Sequence, residues 1–437
     1  MSMTHPVLDA LIECLTARIN TPNTRTSTMK ILLIHQNFPG QYKHIAAALV
    51  ARGDEVTALC IEDNPVLAGV RVVRYGPKRG NTPKIHPWVQ ETETKVIRGE
   101  ACFRAARQLQ VQGYRPDIIC AHPGWGEALF VKEVWPQIPL LNYFEFYYHA
   151  HGADVGFDPE FPENPDEAPR LLAKNFANLM NLEQCDAGVS PTAWQKSTHP
   201  VSFQHKIRVI HEGVNTAAIT PKTDTQITLR EKARVLRAGD EIVTFVNRNL
   251  EPYRGYHSFI RALPEIQRRR PKAHILIVGG DGVSYGSRPA QGTTYREQFL
   301  NEVRSDIDFQ RLDFVGTIPY PAFIGLLQIS AVHVYLTYPF VLSWSMLEAM
   351  SAGCLVVGSR TAPVEEVIRH GDNGLLVDFF SPQQIAEQVV QTLELPGDFA
   401  LLRQRARQTI IDRYDLKRIC LPQHLAYIDE LAGQVTI

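Results

Sequence analysis

No apolar run in the 437 residues approaches the roughly 18–20 needed to span a bilayer. The N-terminus lacks the order of positive charge, apolar core and small-residue cleavage site that marks a secretory leader. No charge of one sign dominates: the formal net charge is −1, so no global field draws the chain to nucleic acid or anionic membrane. The seven cysteines, at 14, 60, 102, 120, 185, 354 and 420, form no C-x-x-C pair. Their odd number and scatter argue for reduced thiols in a cytosolic protein, with Cys60, Cys120 and Cys354 packed in apolar strands. Low-complexity segments and short-period repeats are also missing. Arg268, Arg269 and Arg270 make a short basic run, but Pro271 follows, so it reads as a solvated helix end. The chain length allows two or three domains, each with its own core.

What is present is alternation. Residues 21–28, "TPNTRTST", are polar and turn-like, and Met29 then opens a clean strand, "MKILLIH". Residues 1–28 read as an extension in which 6–19 can form a short helix. From Met29, short apolar strands at 29–35, 54–61, 69–76, 117–122, 140–146, 187–190 and 206–214 alternate with amphipathic helical stretches. A polar separator covers 220–240, and the pattern restarts at 241–248, 273–280, 312–316, 330–337, 354–359 and 373–378. Continuous apolar strands between amphipathic helices predict parallel sheets covered on both faces. Two such halves give an α/β chain with a cleft between them, because ligands of these sheets bind beyond the carboxyl ends of the strands.

Several residues stand at those ends. Arg248 closes the first strand of the second half, and Arg254 precedes Gly255 at the next helix start. Two guanidiniums there can clamp a diphosphate or form surface ion pairs. "VGGDG" (278–282) ends another strand; its glycines allow close backbone approach, with Gly280 a candidate donor-binding residue, but it does not match G-x-G-x-x-G before a helix. Glu348 lies in the apolar stretch "YPFVLSWSMLEAMSAGCLVVGS" (338–359). Ser345-x-x-Glu348 fits a capping box, while a carboxylate at that place can also accept hydrogen bonds from vicinal ribose hydroxyls. In the first half His122 sits at a strand end before the Pro123–Gly124 turn. Glu145, His149 and His151 cluster after another strand, a spacing that alone permits a metal.

Taken in order, these pieces resemble the family 4 retaining glycosyltransferases, the bacterial-type group 1 enzymes whose GT-B fold sets two Rossmann-like domains face to face. The resemblance rests on "NRNLEPYRGYHSFIRALPEI" (247–266), "VGGDG", "FVGTIPY" (314–320), "LEAMSAGCLVVGS" (347–359), "EEVIRHGDNGLLV" (365–377), "GVSPTAWQ" (188–195) and "IHEGVNTAAITP" (210–221). It implies an acceptor-side domain at 29–216, a nucleotide-sugar domain at 217–416, and a last helix within 417–437 that crosses back onto the first domain. It implies transfer of a hexosyl group from a nucleotide diphosphate sugar to a hydroxyl acceptor, in polysaccharide assembly or on a lipid-linked or small molecule. It implies no metal or other cofactor, no nucleic-acid partner, and a cytoplasmic setting open to contact with the inner face of a membrane.

Residue by residue, the resemblance places Gly40 on the loop that approaches donor and acceptor, His122 beside the reacting sugar, and Arg248 and Arg254 on the diphosphate. Arg254 stands where the family usually has lysine, which keeps the charge and changes the geometry. Glu348 corresponds to the second glutamate of an E-x7-E motif that binds ribose. The first is replaced by Phe340, within "FVLSW" (340–344). Backbone amides of Leu342, Ser343 and Trp344 at the following helix start remain suited to phosphate. Three other readings stay open: a nucleotide-sugar epimerase on the same fold, an inverting transferase with His122 as base, and a catalytically degenerate binding partner, which Phe340 keeps alive. Oligomeric state, nucleotide base, sugar and acceptor are not legible in the sequence.

Overall fold

The structure is a computed structural model that describes residues 28–65, 67–162, 164–229 and 232–434. Nearly all of the proposed extension, including the helix at 6–19, lies outside the described residues. Each apolar run expected to be a strand is one. In the first half these are β1 (Lys30–Ile34), β2 (Glu55–Cys60), β3 (Val70–Arg74), β4 (Ile118–Ala121), β5 (Leu140–Tyr143), β6 (Ala187–Ser190) and β7 (Ile207–Val209). They form one parallel sheet in the order β3-β2-β1-β4-β5-β6-β7. The interior strand β4 is buried at all four residues, which is why its sequence does not alternate.

The separator at 220–240 is not plain loop. It contains an antiparallel pair, β8 (Gln226–Leu229) and β9 (Arg234–Arg237). Both strands are only four residues long and half-exposed, with Leu236 in the core and Ile227 and Leu229 packed against it. So little apolar surface is committed there that composition alone reads as linker.

The second half contributes β10 (Ile242–Asn249), β11 (His274–Gly280), β12 (Leu312–Gly316), β13 (Val332–Tyr335), β14 (Leu355–Ser359) and β15 (Leu375–Val377). Their parallel order is β12-β11-β10-β13-β14-β15. Both sheets reverse direction of winding beside their first strand, between β1 and β4 and between β10 and β13. These two switch points are where crevices open in doubly wound sheets.

The domains are joined by two adjacent crossings. After β7 the chain passes through residues 210–216, and it returns through 414–420. The Val214 amide donates to the Tyr414 carbonyl at 2.7 Å, and the Leu416 amide to the Val214 carbonyl at 2.8 Å. Gly213 has φ +89°, and a Cβ there would lie 2.6 Å from Leu416 Cα, so only glycine lets the strands of the crossing touch. The final helix, Leu421–Gly433, buries Tyr427, Ile428, Leu431 and Ala432 in the core of the first domain. Arg208 pairs with its Glu430 at 2.6 Å.

A second connection is made by side chains. The segment after β5 leaves the first domain and lies on the second. Phe146 and Ala153 belong to the second domain's core. Asp154 accepts from the Tyr253 hydroxyl at 3.0 Å, Asp158 from Tyr338 at 2.8 Å, and Glu160 pairs with Arg261 at 2.7 Å.

Candidate active site

The first domain supplies a floor of rings and carboxylates at the ends of β1, β4 and β5. His35 follows β1, and its Nδ1 accepts from the Asn37 amide at 3.0 Å. The protonated Nε2 then donates to Gln41 Oε1 at 2.6 Å. Gly40 closes over this ring: its φ is +41°, and a Cβ would sit 2.3 Å from His35 Cε1. His35 meets His122 edge-on at 5.2 Å, so Gly40 and His122 are brought to one place through a residue that spacing did not single out.

His122 is sandwiched between Trp125 at 4.3 Å and Tyr143 at 5.4 Å. Burial holds its pKa well below the usual imidazole value, so the ring is neutral. Its Nδ1 accepts from the Gly124 amide at 3.3 Å, which leaves the proton on Nε2. That N–H lies 3.8 Å from Glu145 Oε2. The ring is thus arranged to donate a hydrogen bond, which argues against a general base. Burial raises the Glu145 carboxyl, and the charges of Arg248 and Arg254 across the cleft pull it back. His149 and His151 do not join it as ligands: His149 Nε2 donates to the Thr198 carbonyl at 2.5 Å, and His151 is exposed.

The second domain supplies the opposite wall. Arg248 is exposed at the end of β10. Arg254 is not the surface partner it resembles in sequence. It is 7% exposed, and its Nη1 donates to Thr337 Oγ1 at 2.8 Å and to the Val341 carbonyl at 2.9 Å. Gly280 ends β11 against the Asn249 side chain, whose Oδ1 a Cβ would meet at 2.9 Å.

The loop after β13 leads into the helix Trp344–Ala352. Its N-cap is Ser343, whose hydroxyl accepts from the Ser345 amide. The capping box expected from Ser345 and Glu348 does not form, because the helix begins earlier and places Glu348 beyond its first turn. The Ser343 amide is also engaged, donating to the Tyr335 hydroxyl at 2.8 Å, which leaves Leu342 and Trp344 as the loop's amides for an anion. Glu348 instead accepts from the Tyr320 hydroxyl at 2.5 Å, and burial raises its pKa against that bond.

Phe340 is 4% exposed and meets Phe146 at 4.8 Å, Tyr285 at 4.8 Å and Tyr253 at 5.6 Å, all edge-on. The Arg254 guanidinium lies 5.8 Å from its ring centroid. The residue therefore packs an aromatic cluster across the domain boundary beside the arginine.

The two halves match family models in succession: the glycosyl transferase family 4 group at residues 52–219 and glycosyl transferases group 1 at residues 228–410. The chain belongs to the group 1 glycosyltransferases of GT-B fold. It is similar to the D-inositol 3-phosphate glycosyltransferase of Corynebacterium aurimucosum, with 23% identity over 52% of this chain and 53% of that one. The match thus spans about half the length of that relative. Among solved structures, this glycosyltransferase is similar in fold to the sucrose-phosphate synthase of Thermosynechococcus elongatus, with TM-score 0.67 and 19% identity over 93% and 100% of the two chains. Anabaena Alr3699/HepE, solved in complex with UDP and glucose, aligns with TM-score 0.62 and 16% identity over 92% and 99%.

Glu212 is the site residue that sequence reasoning missed. It stands at the domain crossing, accepts a short hydrogen bond from the Tyr143 hydroxyl and accepts from Trp344 Nε1 at 3.2 Å. Burial pushes its carboxyl up to about 7. The one signal available was an acidic residue next to a glycine at the end of a strand run. Asp158, Glu160 and His257 also converge, with ligand atoms within 4.8 Å of one another. Asp158 is held by His257 at 2.9 Å and by Tyr338, and Glu160 is held by Arg261, so the group reads as an ion-pair network between domains. Among the described residues no helix is long and apolar enough to cross a membrane.

Proposed function

We propose that this glycosyltransferase moves a hexosyl group from a nucleotide diphosphate sugar to a hydroxyl acceptor with retention, and that it needs no metal. One observation carries the reading: Arg248 near the end of β10 and Arg254 in the turn that follows it both face Glu145 of the other domain, with Arg254 bonded into the loop that starts the helix Trp344–Ala352. That is an anion site opposite a hydrogen-bonding floor. The solved relative with UDP and glucose bound supports a nucleotide sugar as the anion.

In the reaction the anomeric carbon–oxygen bond to the diphosphate breaks and the electron pair leaves with the phosphate. Arg248, Arg254 and the amides of Leu342 and Trp344 stabilise that growing charge, as preorganised donors do. The acceptor oxygen bonds the anomeric carbon from the same face, and its proton passes to the departing phosphate oxygen. His122, with its proton on Nε2, donates to a sugar oxygen. Glu348 binds the ribose hydroxyls, and Gly280 lets the nucleotide approach the backbone. Gly40 shapes the loop between donor and acceptor. A nucleotide-sugar donor fits a cytoplasmic enzyme of polysaccharide assembly.

The test is a panel of nucleotide sugars assayed for nucleoside diphosphate release, with saccharide acceptors and with chelator present. Release that chelator does not suppress and that acceptor accelerates supports the proposal. Acceptor-independent conversion of one donor sugar into its epimer would replace it with the epimerase reading. No binding and no turnover across the panel would replace it with a binding-partner role.

A further inference from the structure

Glu212 makes contacts that the reaction as described does not use. It lies within the crossing that joins the domains, between His211, whose ring packs edge-on against Tyr414 at 5.2 Å, and Gly213. His211 is itself fixed: its Nδ1 accepts from the Gly213 amide at 2.9 Å, and its carbonyl pairs with His424 Nε2 at 3.2 Å. The Glu212 side chain is 10% exposed and is not spent on solvent. One oxygen takes the Tyr143 hydroxyl of the first domain; the other takes the indole N–H of Trp344 in the second. Trp344 is the first residue of the helix whose start forms the anion site, and Tyr143 is the ring stacked on His122.

We propose that Glu212 is a positioning residue that locks the donor loop to the domain crossing, so that affinity for the nucleotide diphosphate depends on how the two domains are set. This rests on reading residues 341–344 as part of a nucleotide-sugar site. The physical argument is geometric. A rotation at residues 210–216 moves Glu212 with the crossing, and the Trp344 indole can keep its bond only if the helix start moves with it. Its acceptor is a carboxyl only 10% exposed and its donor is the indole of a half-exposed ring, so breaking the bond would leave a buried carboxyl oxygen short of a partner, and that cost biases the loop. Trp344 is otherwise 47% exposed, an arrangement that wastes a large apolar ring unless its N–H has a task.

The test is a double-mutant cycle with UDP, GDP and ADP as probes, measured by titration calorimetry on the full chain. Glu212→Gln removes the charge, and Trp344→Phe removes the N–H but keeps the backbone amide that faces the anion. Each single variant is expected to weaken the best nucleotide about fivefold with an unchanged melting temperature. The double variant should be no weaker than Trp344→Phe alone, because Glu212→Gln keeps a carbonyl acceptor and only weakens a bond that Trp344→Phe already removes. Losses that simply multiply, or unchanged affinity in both singles, would overturn the role of Glu212 while leaving the nucleotide-sugar reading intact. A wild-type protein that binds none of the three nucleotides would sink that reading, and this inference with it. Trp344 lies at the surface, so Trp344→Phe stays informative even if Glu212→Gln fails to fold: wild-type affinity in it also refutes the lock.

Discussion

Arg254 donates to the Val341 carbonyl at 2.9 Å, which makes a charged side chain part of the loop that starts the helix Trp344–Ala352. Arg248 in β10 and Arg254 in the turn after it are therefore unequal. Arg248→Ala removes an exposed guanidinium and should cut turnover about tenfold or more, with the melting temperature unmoved. Arg254→Ala also strands Thr337 and the Val341 carbonyl, so it should cost about 2–3 kcal/mol of stability besides the rate. Paired kinetic and denaturant measurements separate the two. Equal effects on stability would mean that Arg254 does not organise the loop.

Glu348 can now be judged without the capping role. Glu348→Gln should leave stability nearly unchanged and weaken nucleotide binding about tenfold, on the order of 1–2 kcal/mol. The cap belongs to Ser343, so Ser343→Ala should cost about 1 kcal/mol, while Ser345→Ala costs less. Chemical denaturation of the two serine variants decides between them, and a larger loss in Ser345→Ala would restore the capping box.

Phe340→Glu places a carboxyl among Phe146, Tyr253 and Tyr285. The expected loss is about 3–5 kcal/mol, the range for deleting a buried phenylalanine, before the cost of burying the new carboxyl. Uniform loss of activity across donors should accompany it. If stability held and donor preference changed, the ring would be lining the sugar pocket and the packing account would be wrong.

Glu127 offers a stability test away from the cleft. It is fully buried and its carboxyl is pushed up to about 7, chiefly by burial, which the charges of Arg98 and Lys95 partly offset. Its folded value lies above the unfolded one, so the folded state holds a proton that the unfolded chain releases. Its contribution to stability is full below the unfolded value and falls as pH rises through about 7, by up to about 3 kcal/mol. Glu127→Gln should flatten the decline in stability between about pH 5 and 8. Parallel pH curves for the two proteins would contradict this.

Much of the fold is visible in the sequence because parallel strands buried on both faces leave uninterrupted apolar runs such as "HILIVGG" and "LVVGS". The site is only partly visible, for reasons that differ by residue. Arg248 and Arg254 stand in the same pattern, yet only the fold reveals that one is buried under Thr337 and Val341. Ser343 and Ser345 both suit a helix start, and local propensity cannot choose between caps two residues apart. Glu212 gained its meaning from Tyr143 and Trp344, which lie 69 and 132 residues away in the chain. Phe340 is legible as a departure from a motif, but its partners come from three separate segments.

The most direct test of the central claim is the release of nucleoside diphosphate from a panel of nucleotide sugars by the wild-type chain and by Arg248→Ala. The expected result is one preferred donor, cleaved without metal, its rate raised by a saccharide acceptor and lowered at least about tenfold in the variant. Equal release by both proteins, or none from any donor, would contradict the assignment of this cleft as a glycosyl-transfer site.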